Sequence, residues 1–323
     1  MSIHLRSLGL RLALLVPLLL PQVAAGGQKP FVLMEWNVEN LFDTKHDEGK
    51  EDTDFTPEGA YRWTRSRYWR KLDDVASVIA EAEGVAGAVP ALIGLCEVEN
   101  DTVLTDLCRR SALRTLGYEY VMTDSPDARG IDVALLYQPV LFRPLQWRSI
   151  RVPSAEQRLP RTRDILYVQG VRLREDYGLD TLHVVVVHLP SKTGGRQGDR
   201  NRRLAATTLW HLTDSIQEAC SGQIVVMGDF NTTPKDRLFR KARHPLTRVA
   251  MRGEGSYKYR GVWQWIDHML VRDGGGAVEG SVIATPRQLE PNKTYGGTMP
   301  RRTFRGPSYH GGVSDHLPLV WVW

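Results

Sequence analysis

The sequence predicts an α/β fold in which two mixed sheets stack on one another and helices cover their outer faces. Three observations carry this expectation. Strand-like segments outnumber helical ones by more than two to one. Several strand segments are apolar at almost every position, as strands buried on both faces are. No internal repeat, low-complexity tract or Pro/Gly/Ser-rich linker divides the 323 residues, so a single large domain is expected after a leader.

The leader comes first. Residues 1–25 carry Arg6 and Arg11, no acid, an apolar run over 12–20 and the small residues Val23-Ala24-Ala25, the pattern of a cleaved secretory signal peptide. The run falls short of the roughly 20 residues that a spanning helix needs, and no Cys follows it for lipid attachment. A mature domain over 26–323 is expected, periplasmic or secreted, without stable membrane insertion.

Within that domain, 31–36 reads as the first strand and 65–81 as the first helix. The basic and aromatic stretch 61–71 mostly opens that helix: its apolar members continue to Leu72, Val75, Val78 and Ile79 at helical spacing, which leaves its arginines on solvated faces. A strand over 91–95 precedes a helix over 102–116, with Asn100 or Asp101 as its N-cap. Strands follow at 131–137, 165–171 and 181–187. The third helix, 199–218, aligns Leu204, Leu209, Leu212 and Ile216 on one stripe, and 223–227, 262–266 and 317–322 complete the strands.

Composition excludes several function classes. Removing Arg6 and Arg11 takes the formal charge from +5 to +3, so charge alone does not nominate nucleic acid as partner. The cysteines Cys96, Cys108 and Cys220 allow at most one bridge and no structural zinc site, and Cys96, inside an apolar run, reads as a small buried hydrophobe.

Six short motifs at strand ends carry the chemistry: W-N-V-E-N, L-C-E-V-E-N, V-V-H-L-P, G-D-F-N, W-I-D-H and S-D-H-L-P. Carboxylates can hold a divalent cation and take a proton from water, while Asn and protonated His donate to phosphate oxygens. The set points to hydrolysis of phosphate esters. Glu97 ends an apolar run, and the cost of burying it unpaired would be offset by metal ligation. Asp229 and Asn231, two apart beyond 224–227 and a Gly, face one cleft. On an extended strand Glu35, Asn37 and Glu39 share a face, so one of these acids is an alternative metal ligand. Ser314 and Ser191 lack the G-x-S-x-G context of a serine nucleophile.

The order Asn37, Glu97, His188, Gly228-Asp229-Phe230-Asn231, Asp267, Ser314-Asp315-His316 resembles the endonuclease/exonuclease/phosphatase family, of which deoxyribonuclease I is the best-known member, over residues 31–323. The resemblance implies a four-layer αββα sandwich with the active site at one edge of the two sheets. It implies that Glu97, with Asn37 and Asp315, holds Mg²⁺ or Mn²⁺, that Asp229 orients and deprotonates the attacking water, and that Asn231 binds the phosphate. His316, kept protonated by Asp267, would donate to the scissile phosphate, and His188 would act as general acid or phosphate donor. Asp132 is a candidate to orient His188, and His268 is expected on the opposite face as a structural residue.

Substrate identity stays open at this level. The basic loop Ser191-Lys192-Thr193-Gly194-Gly195-Arg196, with Arg200, Arg202 and Arg203, suits a phosphate grip or a solvated helix start. Tyr257-Lys258-Tyr259-Arg260 with Trp263 and Trp265 suits base stacking or an ordinary hairpin. The expected substrate is a phosphate ester, nucleic acid included, and no protein partner is inferred. A low-specificity endonuclease is the simplest reading. A phosphomonoesterase or phospholipase-like enzyme acting on an inositol phosphate, sugar phosphate or lipid headgroup is the second, and a catalytically silent binding protein the third.

Overall fold

A computed structural model describes residues 30–153, 162–174, 176, 178–191, 195–240, 242–272 and 279–323; the leader over 1–25 and Lys192, Thr193 and Gly194 of the basic loop lie outside the described residues. Its strands are β1 (Val32–Leu41), β2 (Leu92–Val98), β3 (Glu119–Met122), β4 (Asp132–Tyr137), β5 (Phe142–Ile150), β6 (Ile165–Leu173), β7 (Leu179–His188), β8 (Gln223–Asp229), β9 (Thr247–Arg248) and β10 (Ala250–Arg252). These are followed by β11 (Tyr257–Tyr259), β12 (Val262–Gln264), β13 (Asp267–Val271), β14 (Glu279–Val282), β15 (Leu289–Pro291), β16 (Thr298–Pro300), β17 (Phe304–Arg305), β18 (Ser308–Tyr309) and β19 (Leu319–Val322). The helices are α1 (Arg65–Ala86), α2 (Asp101–Arg109) and α3 (Gly195–Ala219).

One sheet runs β10-β14-β19-β1-β2-β4-β3 and the other β5-β6-β7-β8-β13-β9. Alternation along β1 explains how they stack. Leu33 faces a core shared with Leu92 and Leu135 of its own sheet and with Val168, Val184, Val186, Met227 and Met269 of the other. Met34 and Trp36 face the opposite way, onto Leu72, Val75 and Ile79 of α1. The second sheet does the same with α3, where Ala206, Leu209, Trp210 and Ile216 cover Val185, Val187 and Val226. The expected four layers, αββα, are therefore present. Each large aliphatic side chain so buried contributes on the order of 1.5–3 kcal/mol. Gly94 permits the close approach of the sheets, since a Cβ there would fall 2.6 Å from Met227 Sδ.

Several sequence expectations need correction at their edges. The helix expected over 102–116 ends at Arg109 and is followed by a short 3₁₀ turn, Ala112–Thr115, capped by Ser111. Asn100 is its N-cap, accepting from the Val103 amide. The strand expected over 262–266 is two pieces of chain: Val262–Gln264 belongs to a hairpin with β11, and a new strand starts at Asp267. Asp267 and His316 thus stand at the entry of strands, not at their ends. Because β13 runs antiparallel to β8 and β19 antiparallel to β1, those entries reach the same edge as the C-terminal ends of β1 and β8. All three cysteines are free.

Candidate active site

The parallel pairs β1/β2 and β7/β8 end at one edge of the sandwich, in register at Asn37 opposite Cys96 and His188 opposite Asp229. Regular strands would end there with side chains alternating between faces. Local backbone departures re-aim them. Glu97 sits at φ 65° where the pairing of β2 with both neighbours shifts register, and Glu39, Asn40 and Asn231 each have φ 50°. Such left-handed conformations in residues other than Gly cost about 1–3 kcal/mol each and gather at functional sites. Gly228 (φ 147°) is obligatory in G-D-F-N, because a Cβ would lie 1.9 Å from the Val187 carbonyl oxygen.

The result is a cleft of about 550 Å³ lined by Asn37, Glu39, Glu97, His188, Asp229, Asn231, Asp315 and His316. Seven of the eight predicted site residues line it directly, and Asp267 stands behind His316. Asp229 is the hub. Its Oδ2 accepts from Asn37 Nδ2 at 3.0 Å and Asn231 Nδ2 at 3.2 Å, its Oδ1 accepts from the Asn231 amide at 2.7 Å, and His188 Nε2 stands 3.6 Å and His316 Nε2 3.9 Å away. Burial first, and then the neighbouring Asp267 carboxylate, raise its pKa to about 7, against the lowering pull of His316 and the amides. A carboxylate so tuned suits a general base near neutral pH.

His316 Nδ1 lies 3.0 and 2.9 Å from the two Asp267 oxygens. Burial disfavours its charge, but Asp267 and Asp229 more than offset this and hold the imidazolium pKa well above the usual range. His188 is the opposite case. Burial, then Arg163 and Arg129, push its pKa well below normal, which favours the neutral ring, and its Nε2 stands 3.8 Å from Glu97 Oε1. Its Nδ1 has no partner. The suggested partner Asp132 instead accepts from Thr123 and Ser125. His268 is structural as expected, buried against the Thr232 carbonyl at 2.9 Å.

The expected metal ligands are differently engaged. Glu97 accepts from the Asn40 amide through Oε2 at 2.9 Å. Asp315 is paired with Arg302, whose Nε is 3.4 Å from Glu39 Oε1. Asn37 Oδ1 accepts from the Glu39 amide at 3.0 Å and its Nδ2 donates to Asp229, which fixes the amide at the edge of the cleft and leaves the second lone pair of Oδ1 open. The face-sharing expectation for Glu35, Asn37 and Glu39 holds for the first two only, because the turn at Glu39 breaks the alternation. Glu39, Glu97 and Asp315 are hard oxygen donors lining one cleft, and Asp229, Asp267 and His316 bring ligand atoms within 4.8 Å of one another.

Three residues escaped the sequence reading. Lys71, which carries no motif, is buried and donates through Nζ to the Glu39 carbonyl and, at 2.7 Å, to Thr303 Oγ1. Burial lowers its pKa to about 8. Arg163 donates to Asp127 and to the Leu189 carbonyl at 3.1 Å, and Arg302 bridges Glu39 and Asp315. Glu35, one of the acids weighed as an alternative ligand, is fully buried beneath the cleft with neither oxygen partnered, and burial, then Asp267 and Asp229, raise its pKa well above normal. The hairpin β11/β12 turns Tyr257 and Tyr259 to the cleft, with Tyr257 4.9 Å from the His316 ring, and Lys258 to Trp263 on the other side.

A two-sheet sandwich whose strand ends present an acid-rich cleft with a carboxylate-backed imidazolium defines a phosphoesterase. The chain belongs to the endonuclease/exonuclease/phosphatase family, whose model matches residues 32–322. Among solved structures it is similar to the mannosyl-6-phosphatase Bt3783 of Bacteroides thetaiotaomicron at 14% identity and TM-score 0.57, with 91% of this chain and 98% of that one covered. It is also similar to the human Nocturnin catalytic domain at 17% identity and TM-score 0.51, covering 91% and 94%. A D. rerio TDP2 complexed with single-strand DNA product matches at 15% identity and TM-score 0.52, covering 91% and 98%. No curated protein sequence matches the chain.

Proposed function

We propose that the protein is a metal-dependent phosphodiesterase, most simply a low-specificity endonuclease, working by in-line attack of a water activated by Asp229. The observation that carries this reading is the opposition, across one cleft, of a carboxylate with pKa near 7 and an imidazolium locked by Asp267. Asp229 takes the proton as the water oxygen attacks phosphorus, and Asn37 and Asn231 fix its oxygens in place. His316 donates from Nε2 to a phosphate oxygen on which charge develops. His188, being neutral, donates a hydrogen bond to the phosphate or the leaving oxygen and not a proton.

Glu97, with Glu39 and Asp315, would hold Mg²⁺ or Mn²⁺, with Asn37 behind them. When bound, such an ion supplies Lewis-acid neutralisation of charge on phosphate or leaving oxygen. Arg129, Arg163 and Arg302 line the cleft and add positive potential for an anionic ester. Tyr259, half exposed beside them, offers a stacking surface for a base or sugar. Three guanidinium groups around a cleft of this size also favour a second reading, a phosphomonoester of a small molecule. The leader's pattern supports a periplasmic or secreted location. Among the described residues no helix is long and apolar enough to cross a membrane.

The test is hydrolysis of plasmid DNA, RNA, bis-p-nitrophenyl phosphate and p-nitrophenyl phosphate by the mature chain, with Mg²⁺, Mn²⁺ or EDTA. Metal-dependent cutting of polynucleotide and diester supports the nuclease. Turnover of the monoester alone transfers the reading to a phosphatase, and no turnover with any metal defeats both.

A further inference from the structure

Outside the cleft, the loop after β1 and the end of β2 gather a second set of carboxylates. One ligand oxygen from each of Asp47, Asp52 and Glu99 lies within 4.8 Å of the others. That limit is the separation of opposed ligands about an ion bound at about 2.4 Å, the Ca²⁺–oxygen distance. A carboxylate cluster alone says little, but Glu99 adds an independent sign. It is 5% exposed, its Oε2 accepts from the Asp43 amide at 2.6 Å, and its Oε1 is buried with no partner. A buried carboxyl oxygen left unmatched costs about 1–3 kcal/mol unless something outside the chain meets it.

Nothing cationic among the described residues does so. Among the described residues no lysine or arginine pairs with Asp43, Asp47, Asp52 or Glu99; His46 alone does, through Nδ1 to Asp52. Lys50, the lysine closest in sequence to Asp52, points its Nζ to the Ser125 and Asp127 carbonyls instead. Asn100 donates to Asp47 at 3.2 Å, and the Asp47 amide to Asp52 at 2.8 Å, which steadies the oxygens without neutralising them.

We infer that Asp47, Asp52 and Glu99 form a second cation site, suited to Ca²⁺: three carboxylates bring hard oxygen donors within reach of one ion. Asp43, whose amide is held by Glu99, closes the near side. Filling the site would pin the chain just beyond Asn37 and Glu39 to the chain just beyond Glu97, and so steady both strand ends of the cleft.

Terbium(III) provides the probe. The Trp63 indole donates to the Phe42 carbonyl at 3.0 Å, one residue from Asp43, and can sensitise bound Tb³⁺. In metal-stripped Glu97→Gln protein, Tb³⁺ emission should persist and Ca²⁺ should displace it. Asp47→Asn, at a half-buried position, should weaken binding at least tenfold in the same background while circular dichroism stays unchanged. In parallel, Ca²⁺ alone should raise the melting temperature of Glu97→Gln and not of the double variant. Emission lost with Glu97→Gln, emission unaffected by Asp47→Asn, or no competition by Ca²⁺ would each overturn the proposal.

Discussion

Replacing Glu35 by Gln should stabilise the protein, and by an amount that grows with pH. Glu35 has 0% exposure, neither carboxyl oxygen finds a partner, and its folded pKa is raised well above 4.5, first by burial and then by Asp267 and Asp229. The folded state keeps the proton that the unfolded chain releases above about pH 4.5. The proton-linked stability is therefore whole below that pH and is lost as pH rises toward the folded pKa. Each pH unit across this window costs about 1.4 kcal/mol. By pH 6.5 the variant should thus exceed the wild type by a clear margin, and near pH 4 the two should match. Glu35→Met also removes unmatched polar atoms and should add about 1–3 kcal/mol at every pH. The assay is urea unfolding in EDTA at a series of pH values, comparing midpoints at constant slope. A Glu35→Gln gain that does not change between pH 4 and 6.5, or a loss, would refute the assignment of a buried, protonated Glu35.

Three further outcomes follow from the cleft. Asp229→Asn should lower hydrolysis at least a thousandfold with the fold intact by circular dichroism; near wild-type turnover would remove Asp229 as the base. Asp267→Asn strips His316 of the carboxylate that keeps it charged and should cost about 10²–10³ in kcat; the His316 resonance, followed by NMR, should titrate at lower pH, and an unmoved titration would break the assigned pairing. The wild-type rate should rise through about pH 7 as Asp229 ionises, and a rate flat from pH 5 to 8 would contradict its raised pKa.

The layered fold was legible because its signals are local: unbroken apolar runs such as 184–187 and 224–227 can only be strands covered on both faces. The candidate site was legible as a set of residues but not as a set of contacts. G-D-F-N announces a turn, and the Asp229–Asn231 pairing follows from it. Nothing local announces that Glu97 and Glu39 adopt left-handed backbone, and those two reversals decide which acids reach the cleft and which, like Glu35, remain buried. Lys71 was not legible for a related reason. Helical periodicity gives its angle about the axis, but not that Glu39 and Thr303, 32 and 232 residues away, would meet its ammonium. Arg302 carries no motif, and its place between Glu39 and Asp315 is set by tertiary packing alone.

The antiparallel pairing of β19 with β1 has a consequence in time. It joins Val32 to Val322 in the interior of the first sheet, with β14 on the far side of β19. During synthesis the β1–β2 half of that sheet must wait, one edge open, until residues near 322 have left the ribosome. Pairings of such sequence separation form slowly. Since Asp315 and His316 lead directly into β19, sheet closure and completion of the catalytic set are the same event. A chain halted before it would have neither the finished sheet nor the imidazolium at its edge.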